Sequence, residues 1–238
     1  MVWPPTLSDY MPGSPTATGV LWAKAPTSMP TPRFTPPTGP VLYRGPLWRN
    51  LLNEPHLLLT GQTLALAMPR REMLRAYHSW ENDPGTLLGY GNQVPQSWET
   101  REAGWERQRG NMNFPQFEVV RLQDSEPIGM TTLEINRFVH TAEFVMVLAP
   151  NERGKGHATE ATRLTLDWAF HLAALRMVWL KVLEPNAAGV TAYEKAGFRH
   201  AGRLRQAGFW QGIPVDELMM DAIPDDFPGT SAVLSTKT

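Results

Sequence analysis

The pattern of apolar and polar positions along the chain changes near residue 57. From there to about residue 223 it predicts short strands and amphipathic helices in the order β, α, α, β, β, β, α, β, α, β, β. The segment HLLLTGQTLALAM indicates the first strand region, and PQFEVVRL, EPIGMTTLEINRF and TAEFVMVLAP indicate an antiparallel meander. This order predicts an α/β fold of the α+β type, with a mixed, mostly antiparallel sheet flanked by helices.

Capping residues and helical spacing place the other elements. PRREMLRAYHSWEND predicts a helix with Pro69 near its first turn, and SWETREAGWERQRG predicts a second helix with Ser97 as its N-cap. Residues Ala158 to Ala174 have apolar positions at helical spacing and predict one long helix. RMVWLKVL indicates a strand, NAAGVTAYEKAG a helix, and the last segment a hairpin that turns near Gln211 and Gly212.

The N-terminal part of the chain has a different composition. Eleven of the 22 prolines fall within the first 46 residues. Proline removes amide donors and fixes φ, which excludes helices and central strands there. We interpret residues 1–56 as a Pro-rich extension, either an extended leader or an arm that packs on the domain or on a partner subunit. The domain itself is expected to span 57–223, with a C-terminal tail at 224–238.

Composition excludes several classes of protein. Lys and Arg total 22 and Asp and Glu total 23, a net charge of −1 that gives no reason to expect a nucleic-acid partner. The absence of cysteine excludes disulfides, thiolate zinc sites and a cysteine nucleophile. The six histidines show no metal-ligand spacing, so no metal is expected. The sequence shows no signal peptide and no apolar stretch long enough to span a membrane, so we expect a cytoplasmic protein with no membrane association.

The segment ERGKGHATEAT, Glu152 to Thr162, has the features of an anion-binding turn. Glycines let a backbone approach a phosphate, and a helix N-terminus presents unpaired N–H groups. A Walker loop is excluded because Ala149 and Gly156 stand where it needs Gly and Ser or Thr. A dinucleotide fingerprint is excluded because Thr159 replaces its third glycine. A Gly-rich turn with solvated basic residues is the alternative reading of this segment.

Two motifs together resemble a known family, the GNAT superfamily of N-acetyltransferases. The acetyl-CoA motif of that family, Arg or Gln, two residues, Gly, one residue, Gly or Ala, is met by Arg153, Gly156 and Ala158. Downstream, EPNAAGVTAYEKAGF is similar to a second family signature, with Asn186 and Tyr193 in register. GFWQGIPVDELMM and TAEFVMVLAPNERGKGHATEA resemble the branch that contains ribosomal-protein N-terminal and spermidine acetyltransferases. The resemblance covers about residues 57–223.

The resemblance implies a sheet splayed between its fourth and fifth strands, with acetyl-CoA as cosubstrate. Its pyrophosphate would sit on the loop that comprises Arg153, Gly154, Lys155, Gly156, His157 and Ala158. The backbone of Met146, Val147 and Leu148 would bind the pantetheine and the thioester carbonyl. Asn186 would hydrogen-bond to the cofactor arm.

The resemblance also suggests the groups that move protons. Tyr193 would protonate the leaving thiolate, or would only pack beside the cofactor. Glu143 would act as the base, directly or through a water, although a strand-edge carboxylate paired with a cation is the alternative. Glu184 is a second candidate for the base. Some relatives have a glutamate on the fifth strand, where this chain has Lys181.

The predicted activity is therefore acetyl-CoA-dependent N-acetylation of a primary amine by direct attack in a ternary complex, with a small molecule as the preferred acceptor. A protein N-terminal acetyltransferase and a non-catalytic CoA-binding sensor module are the alternatives, and a homodimer is compatible with these features. Glu81 and Asp83 would attract a cationic acceptor or be solvated. Four tryptophans are candidates to border the acceptor pocket: Trp80, Trp98, Trp105 and Trp210.

Overall fold

The computed structural model describes residues 54–91 and 94–235, so the expectation for the Pro-rich segment lies almost wholly outside the described residues. The strands are β1 (Leu57–Thr60), β2 (Leu64–Ala67), β3 (Gln116–Arg121), β4 (Glu126–Asn136), β5 (Thr141–Leu148), β6 (Met177–Leu183), β7 (Arg199–Trp210) and β8 (Ile213–Ala222). The α-helices are α1 (Leu74–Glu81), α2 (Pro84–Gly89), α3 (Trp98–Gln108), α4 (His157–Asp167), α5 (Ala187–Ala196) and α6 (Ala232–Ser235).

The described strands form one 8-stranded sheet in the order β1-β2-β3-β4-β5-β6-β8-β7. Neighbouring strands are antiparallel except for β5 and β6, which are parallel. The predicted mixed, mostly antiparallel sheet is therefore confirmed. The final hairpin turns at Gln211 and Gly212, whose φ angles of 53° and 81° suit the tight turn that joins twisted antiparallel strands.

The first strand region forms two strands, where the sequence analysis expected one. The chain reverses after Gly61, whose amide donates a 2.8 Å hydrogen bond to the Leu64 carbonyl. The polar Gly61–Thr63 stretch interrupts the apolar run, so that β1 and β2 pair as a hairpin. The strands that the prediction counted as fourth and fifth are consequently β5 and β6.

Three α-helices, rather than the predicted two, lie between β2 and β3 in the part of the chain that the structure describes. The additional helix is α2, which has Pro84 in its first turn and Asp83 as its N-cap. The Asp83 carboxylate accepts hydrogen bonds from Gly85 N and Thr86 N, which satisfies amides that a helix end leaves unpaired. Ser97 caps α3 as predicted, by accepting from Thr100 N at 3.2 Å.

The long helix predicted over Ala158 to Ala174 is shorter than expected. The α-helical part ends at Asp167, and Trp168–Leu172 continues as a π-helical turn. The Asp167 carboxylate accepts hydrogen bonds from Ser231 Oγ at 2.5 Å and from Ala232 N at 2.6 Å. The irregular turn therefore lies where the C-terminal segment packs against the end of α4.

Helices cover both faces of the sheet, and adjacent residues of β4 show which helices cover which face. Met130 packs with Leu74, Tyr77 and Trp105, so α1 and α3 lie on its side. Thr131, the next residue, accepts a hydrogen bond from Thr165 of α4 at 2.8 Å. Because successive strand residues point to opposite faces, α4 lies on the other side. We call the first side the lid face and the second the core face.

The two parallel strands separate after three residue pairs. Thr141, Ala142 and Glu143 of β5 pair with Met177, Val178 and Trp179 of β6, and the pairing ends there. Beyond that point β5 remains paired with β4, and β6 with β8. This is the splay that the resemblance implied. It leaves a cleft between the free edges of β5 and β6, next to the loop that leads into α4.

The β1–β2 turn is held by one carboxylate of α4. Glu160 accepts hydrogen bonds from the amides of Gln62 and Thr63 at 2.7 and 2.8 Å, and from the Thr63 hydroxyl at 2.5 Å. Burial raises the pKa of Glu160, but these hydrogen bonds lower it by more, so the net pKa lies below its ordinary value. The ionised form of Glu160 therefore stabilises the folded state.

We predict that Glu160→Ala lowers the free energy of unfolding by about 2 kcal/mol at pH 7, because amides of the turn lose a charged acceptor. A depressed folded-state pKa contributes stability above the unfolded value of 4.5, and this contribution is lost as pH falls through the folded pKa. The difference in unfolding free energy between wild type and Glu160→Ala, measured by urea unfolding, should therefore become smaller below pH 4.5. Glu102→Ala, which removes an exposed carboxylate, is the matched control, and an equal effect of both changes would contradict this account.

Candidate active site

The loop between β5 and α4 forms a concave backbone surface at a helix N-terminus. A short 3₁₀ turn, Pro150–Glu152, follows β5, and Gly154 and Gly156 then adopt φ angles of 74° and 85°. Gly156 is the N-cap of α4, an 11-residue helix whose first amides have no intrahelical acceptor. A Cβ built at either glycine meets no atom of the described residues within 4 Å, so the space above the loop is open. The loop therefore suits an anion held by backbone N–H groups.

The basic side chains of the loop already have carboxylate partners. Arg153 contacts Asp83 at 2.7 Å and donates to the Thr86 hydroxyl at 2.6 Å, and both partners belong to the start of α2. Lys155 contacts Glu152 at 3.2 Å. These ion pairs offset much of the positive charge that the sequence analysis assigned to the loop. The backbone amides are thus the main groups that it offers to an anion.

Glu152 connects this loop to the neighbouring strand β3. Its buried carboxylate lies 3.0 Å from Arg121 Nη1 and 3.3 Å from His157 Nδ1, in addition to its contact with Lys155. Burial raises the pKa of Glu152, but hydrogen bonds from Arg121 and Lys155 lower it below its ordinary value. A groove of about 610 Å³ runs beside this cluster, lined in part by Gln62 and His157. The ionised Glu152 thus holds Lys155 and His157 of the loop close to Arg121 at the end of β3.

Backbone groups of β5 line the cleft. The Met146 carbonyl accepts a 2.6 Å hydrogen bond from the Tyr90 hydroxyl, and the Leu148 carbonyl accepts one from Arg153 at 3.4 Å. In antiparallel strands, alternate residues direct both backbone groups towards the partner or away from it. Met146 and Leu148 thus face the cleft, while Val147 faces β4. The alternation favours Met146 and Leu148 over Val147 as backbone partners of a cofactor.

Asn186 and Tyr193 border the cleft from α5. Asn186 is the N-cap of α5, and its side-chain oxygen accepts from Gly189 N at 3.1 Å. The Tyr193 ring packs against both Phe144 and Phe198, with centroid distances of 6.1 and 6.0 Å, and the two phenylalanine rings also contact each other. Burial raises the pKa of Tyr193 to about 12, so its phenol is protonated at neutral pH. A protonated phenol in this position is chemically suited to donate a proton.

Glu143 is the last β5 residue paired with β6, and its side chain lies on the lid face. Its Cα pairs with Glu134 of β4, and Val147, four residues on, pairs with Met130 on that face. Burial raises the pKa of Glu143, Lys181 lowers it, and the charges of Glu134 and Glu217 raise it, with a net increase. A carboxylate with a raised pKa beside the cleft has the chemistry of a general base.

The model of the Acetyltransferase (GNAT) domain family matches residues 63–199, more than half of the chain. The chain belongs to this family of GNAT acetyltransferases. Spermidine N(1)-acetyltransferase of Escherichia coli is 28% identical over 154 residues, which cover 64% of this chain and 82% of that protein. The Vibrio cholerae enzyme of the same name is 29% identical over 150 residues, which cover 63% and 86%.

A solved structure has the same fold as this GNAT acetyltransferase. The crystal structure of spermidine N-acetyltransferase from Vibrio cholerae in complex with CoA and spermine superposes with a TM-score of 0.65 at 27% identity. The match covers 70% of this chain and 98% of that chain. The predicted fold and family are thus confirmed. Among the residues that the structure describes, no helix is long and apolar enough to cross a membrane.

Several other residues named from the sequence of this acetyltransferase have partners in the structure. Glu184 lies 2.7 Å from Arg203, an ion pair that disfavours it as the base. Glu81 contacts the buried Arg101 at 2.8 Å, and Asp83 contacts Arg153, so neither carboxylate is simply solvated. Three of the four candidate tryptophans pack in the cluster on the lid face: Trp80, Trp98 and Trp105. Within 54–91 and 94–235, no group of three or more His, Asp or Glu residues has metal-binding geometry.

Sequence reasoning missed two residues that the structure brings to the cleft. Thr86 and Tyr90 both belong to the region of α2, which was not predicted as a helix. The Asp83–Pro84 pair, an N-cap followed by proline at the first helical position, was the available signal. It predicts the helix but carries no information about Tyr90, whose contact with Met146 spans 56 residues of sequence.

We predict that Gly156→Val raises the dissociation constant for acetyl-CoA by roughly 100-fold or more, because it strains a left-handed backbone and fills the space above the loop. Lys155→Ala should raise it only about 2- to 5-fold, since Lys155 is exposed and paired with Glu152. Both constants can be measured by titration calorimetry.

The matched control for this loop is Gly212→Val, in the β7–β8 turn. Gly212 has a similar φ of 81° and open space around its Cβ position among the described residues. This variant suffers the same backbone strain but should leave acetyl-CoA affinity unchanged. Equal losses of affinity for Lys155→Ala and Gly156→Val would show that side-chain charge, not the backbone, holds the pyrophosphate.

Proposed function

We propose that the protein transfers the acetyl group of acetyl-CoA to a primary amine of a small molecule, by direct attack in a ternary complex. The observation that carries this proposal is the convergence at one cleft of three features. An amide-lined loop begins α4, the carbonyls of Met146 and Leu148 face the gap between the strands, and the protonated phenol of Tyr193 borders it. Each of these groups has a use in acyl transfer from a CoA thioester to an amine.

The residues present fit acetyl-CoA. The open space above Gly154 and Gly156 suits a pyrophosphate, and the cleft-facing backbone of Met146 and Leu148 suits the amides of a pantetheine arm. Acetyl-CoA supplies the activated acyl group. In this proposal the loop amides from Arg153 to Ala158 bind the pyrophosphate. Asn186 would add a hydrogen bond to the cofactor arm through the end of its amide that does not cap α5.

The amine must lose a proton before it can attack. A primary amine with a pKa near 10.4 is about one part in a thousand neutral at pH 7.4, and reaching the neutral form costs roughly 4 kcal/mol. Glu143 is suited to take this proton, directly or through a water, because burial keeps its carboxylate more basic than usual. The ion pair of Glu184 with Arg203 makes it the weaker candidate.

The leaving thiolate must gain a proton. Tyr193 donates it from a phenol that burial keeps protonated, and its ring is fixed by Phe144 and Phe198. A module that only binds CoA needs neither this donor nor a carboxylate base on the lid face. The joint presence of Tyr193 and Glu143 supports catalysis over the sensor alternative.

The charges of the lid face support a cationic small molecule as acceptor. The charges of Glu134 and Glu217 raise the pKa of Glu143, whereas that of Lys181 lowers it, so one cation faces three carboxylates. The relatives named above act on spermidine, a polyamine. We therefore propose a polyamine-like amine as the first acceptor to test. A cytoplasmic location and a homodimer stay predictions.

We expect acetyl-CoA at a hundred times its dissociation constant to stabilise the protein by about 2.7 kcal/mol, visible as a rise in the thermal midpoint. We also expect release of free CoA thiol when spermidine, spermine or another small primary amine is added. A peptide with a free N-terminus is the control acceptor, and its preferential acetylation would favour a protein N-terminal acetyltransferase. Binding of acetyl-CoA without turnover of any amine would leave the sensor module as the function.

We predict that Tyr193→Phe lowers kcat roughly 100-fold and leaves the dissociation constant of acetyl-CoA within about 2-fold, because the substitution removes the proton donor but keeps the ring. Stopped-flow thiol release at saturating substrates measures the rate. If Tyr193 only packs against Phe144 and Phe198, the variant keeps the wild-type kcat, and the proposed role is wrong.

A further inference from the structure

Tyr90 connects helix α2 to the cleft. It directly follows α2, and its hydroxyl donates a 2.6 Å hydrogen bond to the carbonyl of Met146. Met146 lies three positions after Glu143, the last residue of β5 that pairs with β6. A backbone carbonyl that the separated strands leave without a sheet partner is thus bound by the side chain that ends α2.

The glycines on either side of Tyr90 lie next to the other side of the cleft. A Cβ built on Gly89 would stand 3.7 Å from Asn186 Nδ2, and one on Gly91 would stand 3.3 Å from Leu183 Cδ1. Leu183 ends β6 and Asn186 caps α5, so both belong to the side of the cleft opposite Met146. Gly91 also has a φ of 64°, which other residues rarely adopt. The Gly-Tyr-Gly segment therefore contacts both sides of the cleft.

The protonation state of the Tyr90 phenol decides whether it can act as a base. Burial raises its pKa well above the ordinary value, the charges of Tyr193 and Glu81 raise it further, and Arg153 opposes them. The phenol is consequently protonated at every pH at which the protein is expected to work, so it cannot serve as a base. Its single proton is used by the Met146 carbonyl, and the lone pairs of its oxygen are left to accept a hydrogen bond.

We propose that the Tyr90 oxygen accepts a hydrogen bond from the N–H of the acceptor amine and thereby points the nitrogen lone pair at the thioester carbon. The inference rests on the proposed acetyl transfer at this cleft. The reacting carbon must lie beside the backbone of Met146 to Leu148, and the nitrogen must approach it to about 3–3.5 Å. A hydroxyl bound to Met146 is within reach of that nitrogen. In this proposal Tyr90 orients the attacking amine, whereas Tyr193 protonates the leaving thiolate.

The test is Tyr90→Phe, which removes the oxygen and keeps the ring. We expect kcat/KM for spermidine to fall roughly 10- to 100-fold, as for loss of one hydrogen bond in a buried site. The dissociation constant of acetyl-CoA, measured by calorimetry, should stay within about 2-fold of wild type. Because Tyr90 is not a base, the pH dependence of kcat/KM should keep its shape. Because the proposed role is to orient the nitrogen for attack, kcat should fall along with the rise in KM, and a change in KM alone would contradict the inference.

Tyr77→Phe is the matched control. Its hydroxyl donates to the buried Glu118 at 2.5 Å within the lid, and burial raises its pKa as it does that of Tyr90. This variant loses a buried phenol without touching the cleft, so it should lower the thermal midpoint and leave KM for spermidine unchanged. A Tyr90→Phe variant that matched Tyr77→Phe in both respects would reduce Tyr90 to a packing role and overturn the inference.

The remaining outcomes separate this inference from the proposed function. Suppose that wild type acetylates spermidine and that Tyr90→Phe raises the dissociation constant of acetyl-CoA by as large a factor as it lowers kcat/KM. The hydroxyl then contributes to cofactor binding, and the inference is wrong. If wild type acetylates another amine of the panel, the same comparison is made on that amine. If wild type binds acetyl-CoA but acetylates no amine, the proposed function and the inference both fail.

Discussion

The structure depends on the point at which β5 and β6 stop pairing. Pairing between the two parallel strands ends at Glu143 and Trp179, but beyond that point β5 stays paired with β4, and β6 with β8. The cleft is therefore held open by intact sheet on both flanks rather than by a loose segment. Backbone groups on its edges still need partners. Tyr90 and Arg153 supply two of them, at the carbonyls of Met146 and Leu148.

In the loop at the start of α4, different residues set the backbone geometry and the net charge. Glycine residues with positive φ shape the backbone, while Glu152 and Asp83 bind the basic side chains. An anion that reached this loop would meet oriented amides without first displacing a solvated lysine. Oriented dipoles that need no rearrangement bind charge at low reorganisation cost. The ion pairs are thus compatible with anion binding, although they lower the net positive charge of the loop.

The sequence predicted what depends on local pattern. Apolar periodicity and caps such as Ser97 located most elements, and the glycine spacing of the loop predicted the left-handed turn that begins α4. The family resemblance supplied the splay, which no local pattern encodes. The Gly61–Thr63 turn was missed because apolar residues flank it closely and merge the two strands into one run. The contacts of Tyr90 with Met146, Glu184 with Arg203 and Arg153 with Asp83 join distant segments, and periodicity carries no information about them.

The contacts of Arg153 have a consequence for how two ligands would influence each other. One guanidinium joins the loop to the first turn of α2, through Asp83 and Thr86, and α2 ends at Tyr90. Any ligand that displaced Arg153 would therefore remove contacts that hold the start of α2. Thermodynamic linkage makes this influence mutual, so a molecule that favours one position of α2 alters affinity at the loop by the same factor. Through this one side chain, binding at the loop and binding beside α2 would be energetically coupled.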